Sequence, residues 1–190
     1  MKNKILLTAV SSFYILHSAF GQGALTPPGA PAPTMKSLDQ IEPRTPISSL
    51  PFTITQPGSY YLTTNLTGNP GGITISAGDV TLDLMGFALV GGTGDGVFVS
   101  GSRTNIAIRN GAVRGWSIGV NATNSFNSSV SDLQLSRNTI NGGLRGGSGA
   151  LVRNCVAFLN ATGIQVGDGS SVVNCVARNN GDIGIRAGVG

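Results

Sequence analysis

Apolar positions along this chain come in short bursts separated by Gly and Asn, and the bursts recur at a fixed interval. Over residues 149–179 one unit is written twice. Ala150-Leu151-Val152-Arg153-Asn154-Cys155-Val156-Ala157 returns 20 residues later as Ser170-Ser171-Val172-Val173-Asn174-Cys175-Val176-Ala177. A Gly-aliphatic signal follows each copy, at Gly163-Ile164-Gln165-Val166 and at Gly184-Ile185. The same signal begins earlier at Gly72 and Gly96, and in weaker form at Ser117 and Gly143. The intervals from Gly72 to Gly184 are then 24, 21, 26, 20 and 21 residues. A second apolar stretch falls inside each interval, at residues 80–84, 106–109, 130–135, 151–156 and 172–176. A third short piece follows in places, as at Phe87-Ala88-Leu89. Units this short cannot bury a core alone and must stack on their neighbours. Three short strands in about 22 residues predict one turn of a parallel β-helix, with adjacent turns about 4.8 Å apart. A leucine-rich repeat has a similar period, but its Leu-x-Leu spacing is missing and Gly interrupts every candidate helix.

Ahead of the coils, Phe52-Thr53-Ile54-Thr55 and Tyr60-Tyr61-Leu62 flank Gln56-Pro57-Gly58-Ser59. Pro then Gly at the centre suits a type II turn, so a hairpin is expected here. Residues 37–71 are read as an N-terminal cap over the first coil, and residues 72–190 as the coils. Ser37-Leu38-Asp39-Gln40 resembles a capping box opening a very short helix before Pro43. Residues 22–36 carry Pro27, Pro28, Pro31 and Pro33, which gives an extended linker. Residues 1–21 have the anatomy of a secretory signal, with Lys2 and Lys4, an apolar stretch and Ala19-Phe20-Gly21 before Gln22. The only His, His17, would leave with it. The expected location is secreted, cell-surface or periplasmic, with membrane contact only through the uncleaved signal.

Composition supports closely spaced turns, with 29 Gly and only 11% charged residues. Without Lys2 and Lys4 the basic excess is small and scattered. No aromatic–basic interleaving is present, so nucleic acid is not the expected partner.

The resemblance rests on particular stretches: Gly58-Ser59-Tyr60-Tyr61-Leu62, Val80-Thr81-Leu82-Asp83-Leu84 with Gly86-Phe87, Ile108-Arg109-Asn110-Gly111 and the two Asn-Cys-Val-Ala copies. Over residues 37–190 these resemble the secreted bacterial right-handed parallel β-helix repeat proteins, which share their fold with pectate lyases. The resemblance implies an all-β, right-handed, single-stranded parallel β-helix with an N-terminal cap. Activity is not implied by it. Met85 stands where Asn would be expected before Gly86.

Candidate chemistry is sparse. Hydrolases of this fold use clustered Asp to protonate a leaving group and activate water, and the lyases use Ca²⁺-binding acids plus a base. Asp83, Arg109 and Asp132 fall in the second strands of successive turns and are candidates to line one groove, though one acid per turn favours solvated outward positions. Trp116, the only Trp, is a candidate to stack on a sugar face beside Arg114, or else packs over a loop. Arg153 and Arg178 read as surface residues, or with Arg109 as a clamp for an anionic sugar. Gly91-Gly92-Thr93-Gly94-Asp95-Gly96 approaches a calcium-binding repeat, but Asp95 is one place early. A wide turn is the expectation, with no cofactor and Ca²⁺ as the one ion to consider. Cys155 and Cys175 sit one turn apart, as a disulfide or as stacked thiols. Parallel Cβ directions strain a bond and favour the thiols. The sequence ends inside a turn, where open strand edges invite end-to-end association.

The expected function is a non-catalytic exported domain presenting a polar face to a polysaccharide or other glycan. The alternatives are a polysaccharide lyase or glycoside hydrolase with acids outside this chain, and a structural cell-surface or adhesion protein.

Overall fold

A computed structural model describes residues 43–188. The signal, the linker and the short capping-box helix expected from the sequence lie outside them. Among the described residues there is no helix, and the strands build a parallel β-solenoid of about six turns.

A leading strand, β1 (Thr45–Ile47), precedes the first turn of β2 (Phe52–Ile54), β3 (Gly58–Leu62) and β4 (Leu66–Thr67). The second turn is β5 (Ile73–Ile75), β6 (Val80–Asp83) and β7 (Ala88–Val90). The third is β8 (Asp95–Val99), the short β9 (Arg103–Thr104) and the long β10 (Ile106–Arg114). The fourth repeats that plan in β11 (Ile118–Ala122), β12 (Ser125–Phe126) and β13 (Ser129–Ser136). Then come β14 (Gly142–Gly146), β15 (Leu151–Arg153) and β16 (Val156–Phe158). The sixth turn is β17 (Ile164–Gln165), β18 (Ser171–Val173) and β19 (Val176–Arg178), followed by β20 (Ile185–Arg186). One sheet of seven strands runs β2-β5-β8-β11-β14-β17-β20, and the remaining long strands stack into a sheet of eleven.

Strand alternation explains the core. In the seven-stranded sheet Ile73, Val97, Val120, Leu144 and Ile164 stand over one another and are buried. In the larger sheet Tyr60, Leu82, Ile108, Val130 and Val152 do the same. Each turn's apolar face is thus covered only by the turns before and after it, which is why one turn alone has no core.

Two sequence expectations change. The expected hairpin does not form: β2 pairs in parallel with β5, and β3 pairs in parallel with β1 and β6. The Pro57-Gly58 segment is a corner between the two sheets. Parallel pairing puts Ile54, Tyr60 and Leu62 onto the same buried columns as the later turns, and a hairpin would take them off. The coil pattern therefore already runs through residues 52–67. The second change is one of register. Val97 pairs with Val120, so the residue matching Gly96 is Gly119 and not Ser117. Gly72, Gly96, Gly119, Gly143, Gly163 and Gly184 then form one column, at intervals of 24, 23, 24, 20 and 21 residues. A Cβ on Gly119 would stand 2.5 Å from the Gly143 carbonyl oxygen, and one on Gly143 would stand 2.9 Å from that of Gly163. Only hydrogen fits between these turns.

The corners use left-handed backbone. Asp79, Asn105 and Asn127 have φ of 55°, 58° and 52°, and Asn110, Asp132, Asn154 and Asn174 form a second such column. Asn and Asp tolerate this region better than other non-Gly residues. Met85, like Arg137 and Leu159, is an exception, with φ 53° and 42% exposure at the first central position of a tight turn closed by Phe87 N donating to Leu84 O. Gly86 follows with φ 80°, and two positive φ values are what Asn-Gly satisfies in a type I′ turn. Met85→Asn is therefore expected to raise stability by roughly 0.5–1 kcal/mol. A higher urea midpoint at unchanged slope would show it, and an unchanged or lower midpoint would show that the turn is not strained.

Candidate functional site

The sequence-derived candidates separate into three places. Trp116 is fully buried, and its indole Nε1 donates to Leu89 O at 3.1 Å. Neither ring face is offered to a ligand, so the expected sugar-stacking role is corrected. The ring fills the space beside Gly68, Gly91 and Gly96, whose missing side chains admit it. Arg114 ends β10 on the outside, in register with Val90 and Ser136, and shares no surface site with the buried ring.

Asp83 and Arg109 do come together. They are registered neighbours on β6 and β10, with Arg109 Nε 3.0 Å from Asp83 Oδ2. Asp83 Oδ1 also accepts from Asn110 Nδ2 at 3.1 Å and from the Met85 amide at 2.8 Å. This nearly buried carboxylate is committed to holding its corner. Asp132 lies on the next turn, exposed and near enough to Arg109 and Arg153 to feel both charges, and accepts from Asn154 Nδ2 at 3.1 Å. That bond, with a second from Ser131, pulls its carboxyl below the usual carboxylate range.

The same pairing recurs. Asn105 Nδ2 donates to Asp79 Oδ1 at 2.7 Å, and Asn121 Nδ2 donates to Asp95 Oδ2 at 2.8 Å. Burial raises the Asp95 carboxyl against that bond and the nearby Arg145 charge. Asp79, Asp83, Asp95 and Asp132 thus each receive an amide from an Asn of the following turn. A carboxylate so held is positioned for cross-turn bonding, and none is paired with a second acid across a gap as glycoside hydrolysis requires.

A buried amide ladder was missed by the sequence reading. Asn138 Nδ2 donates to Asn160 Oδ1 at 2.9 Å, and Asn160 Nδ2 donates to Asn180 Oδ1 at 3.2 Å. The Trp116 amide donates to Asn138 Oδ1 and so opens the ladder. The separations of 22 and 20 residues equal the repeat period, a signal present in the sequence. Phe158 was missed as well. It points outward from β16 under Arg178, whose guanidinium lies 4.6 Å from the ring centroid, a cation–π contact.

Cys155 and Cys175 are both free thiols, in register one turn apart. The Cys155 amide donates to Cys175 Sγ at 3.5 Å, and burial pushes the Cys155 thiol up to about 12. Thiolate is the reactive form, so Cys155 is expected to resist alkylation in the folded chain and to label, together with Cys175, once unfolded without reductant. A chain that takes up no label after unfolding would establish a disulfide instead.

The larger sheet also carries a column in which Asp83 and Ser131 are buried and the two arginines are exposed. Tyr61, Asp83, Arg109, Ser131 and Arg153 follow one another by register. Arg109 and Arg153 stand two turns, about 9.6 Å, apart, with buried Ser131 and the exposed Asp132 carboxylate on the turn between them. The Arg109 side chain is 50% exposed, and only its Nε is committed to Asp83 among the described residues. Compared with known proteins, the chain matches no family model, no curated protein and no solved structure.

Proposed function

We propose that this chain is a non-catalytic binding solenoid, and that its ligand is an extended anionic polysaccharide lying across the turns of the larger sheet. The observation that carries this reading is the Arg109–Ser131–Arg153 column. Two guanidinium groups repeat along the solenoid axis two turns apart, and a polymer bound there would displace the Asp132 carboxylate from their field. Guanidinium groups bind carboxylate or sulfate by paired N–H donation. The expected export of the chain and its resemblance to secreted bacterial β-helix proteins of the pectate-lyase type agree with a glycan ligand.

Catalysis is not part of the proposal, because the four aspartates described above are bonded to asparagines of neighbouring turns. The test is retention on immobilised polygalacturonate at low salt, comparing the wild-type chain with the Arg109→Gln/Arg153→Gln double variant. The variant is expected to lose about tenfold in affinity, equivalent to about 1.4 kcal/mol, and wild-type retention is expected to fall as salt screens the charges. Wild-type chain that passes through unretained would end the reading. New reducing ends appearing in the polymer would replace it with the enzyme alternative.

A further inference from the structure

The outward column of the larger sheet has a counterpart on the seven-stranded sheet. There Phe98, Asn121, Arg145, Gln165 and Arg186 follow one another by register. The order matches the first column in part, with Asn121 where that column has Asp83. An aromatic residue stands toward the N-terminal turns, and two arginines follow, separated by one uncharged polar residue. Ser131 is that spacer on one sheet and Gln165 on the other. Arg145 and Arg186 are therefore also two turns, about 9.6 Å, apart. Among the described residues neither makes a salt bridge, although Asp95 lies near enough to feel the Arg145 charge.

We infer that the solenoid carries two anion tracks, one on each sheet, and that a single chain cross-links two strands of an anionic polysaccharide. This rests on the proposed glycan reading and extends it from a binding site to a bivalent one. The two sheets are different walls of one coil, so strands held on them are separate strands or separate segments. Neither track needs the other to form, because each is set by the register of its own sheet. Linking two sites on one rigid body multiplies retention on a polymer network without any new contact.

The experiment uses calorimetric stoichiometry with short galacturonate oligomers, and light scattering with polygalacturonate. The wild-type chain is expected to bind two oligomers and to make the polymer solution turbid. Arg109→Gln/Arg153→Gln and Arg145→Gln/Arg186→Gln are each expected to bind one oligomer and to give no turbidity. The quadruple variant is expected to bind none. All four positions face outward, and circular dichroism of each variant checks that the solenoid is retained. A wild-type stoichiometry of one overturns the second track and leaves the first standing. A graded loss of affinity at constant stoichiometry also overturns it, since that is the behaviour of diffuse positive charge. No binding by the wild-type chain removes the glycan reading together with the inference.

Discussion

Alanine at Trp116 is expected to cost about 3–5 kcal/mol of folding stability, the range for truncating a fully buried large aromatic. The indole spans the space between several turns. It fills what Gly68, Gly91 and Gly96 leave open, with a Cβ on Gly68 only 2.9 Å from Cη2 and one on Gly96 2.9 Å from Cδ1. Gly96 is strand backbone and Gly68 and Gly91 directly follow β4 and β7, which limits collapse into the hole. Truncation also leaves Leu89 O without its indole donor. Trp116→Phe keeps most of the ring and is expected to cost about 1–2 kcal/mol, largely the lost bond. Urea unfolding measures both. A loss below about 1 kcal/mol for the alanine variant would contradict full burial of the ring. The affinity of either variant for a glycan, measured where the chain is still folded, should match wild type because the ring offers no surface.

The second large effect is expected at Asn160, where alanine should lower stability by about 3–5 kcal/mol through unpaired buried polar groups. Four bonds converge on this one side chain. Oδ1 accepts from Asn138 N at 3.1 Å and from Asn138 Nδ2 at 2.9 Å. Nδ2 donates to Leu135 O at 2.9 Å and to Asn180 Oδ1 at 3.2 Å. Alanine removes all four and leaves donors and acceptors of the turns before and after it facing a dry gap. Asn154→Ala is the control. The residue type is the same and it also bonds across one turn, to Asp132, but it is exposed, so water replaces the amide, and the expected loss is about 1 kcal/mol, mostly from holding alanine at φ 54°. Equal losses at the two positions would mean that the Asn160 site is wet.

The contrast between Asn160 and Asn154 also marks what the sequence could and could not convey. Repetition at 20 to 26 residues identified the turns, and aliphatic alternation identified which strand residues face the core. Both signals depend on strand geometry, in which side chains alternate between faces. Corners have no such rule. Asn154 and Asn160 lie six positions apart, each at the end of a short strand segment, yet one faces water and the other the core, and the backbone path between strands decides which. Trp116 was ambiguous for the same reason, being the first bulky residue after β10. The register error at Ser117 has a different origin. Ser117-Ile118-Gly119-Val120 contains two small residues two places apart, so both settings present an alternating aliphatic face, and only contact with Gly96 and Gly143 distinguishes them. The Pro57-Gly58 hairpin failed because local turn preference is weak against burial of Ile54, Tyr60 and Leu62 on a shared core. At the candidate site, Asp83 and Arg109 were recognised as neighbours from their positions one turn apart. The bonds that commit Asp83 to Asn110 and Met85 depend on corner geometry and were not legible.

The stacked glycine column has a consequence for how such a chain can change length over generations. Gly143, Gly163 and Gly184 hold equivalent places in successive turns, and residues 150–157 and 170–177 are near copies in the same register. Crossing-over between the corresponding gene segments would remove or add a whole turn, and the strands on either side would meet neighbours of the same shape. Insertions of a few residues are tolerated in the corner loops, where the interval already varies, and are barred from the column between Gly72 and Gly163, where no carbon atom fits. Variation in such a lineage is therefore quantised: the number of turns drifts freely, and the cross-section of each turn stays fixed.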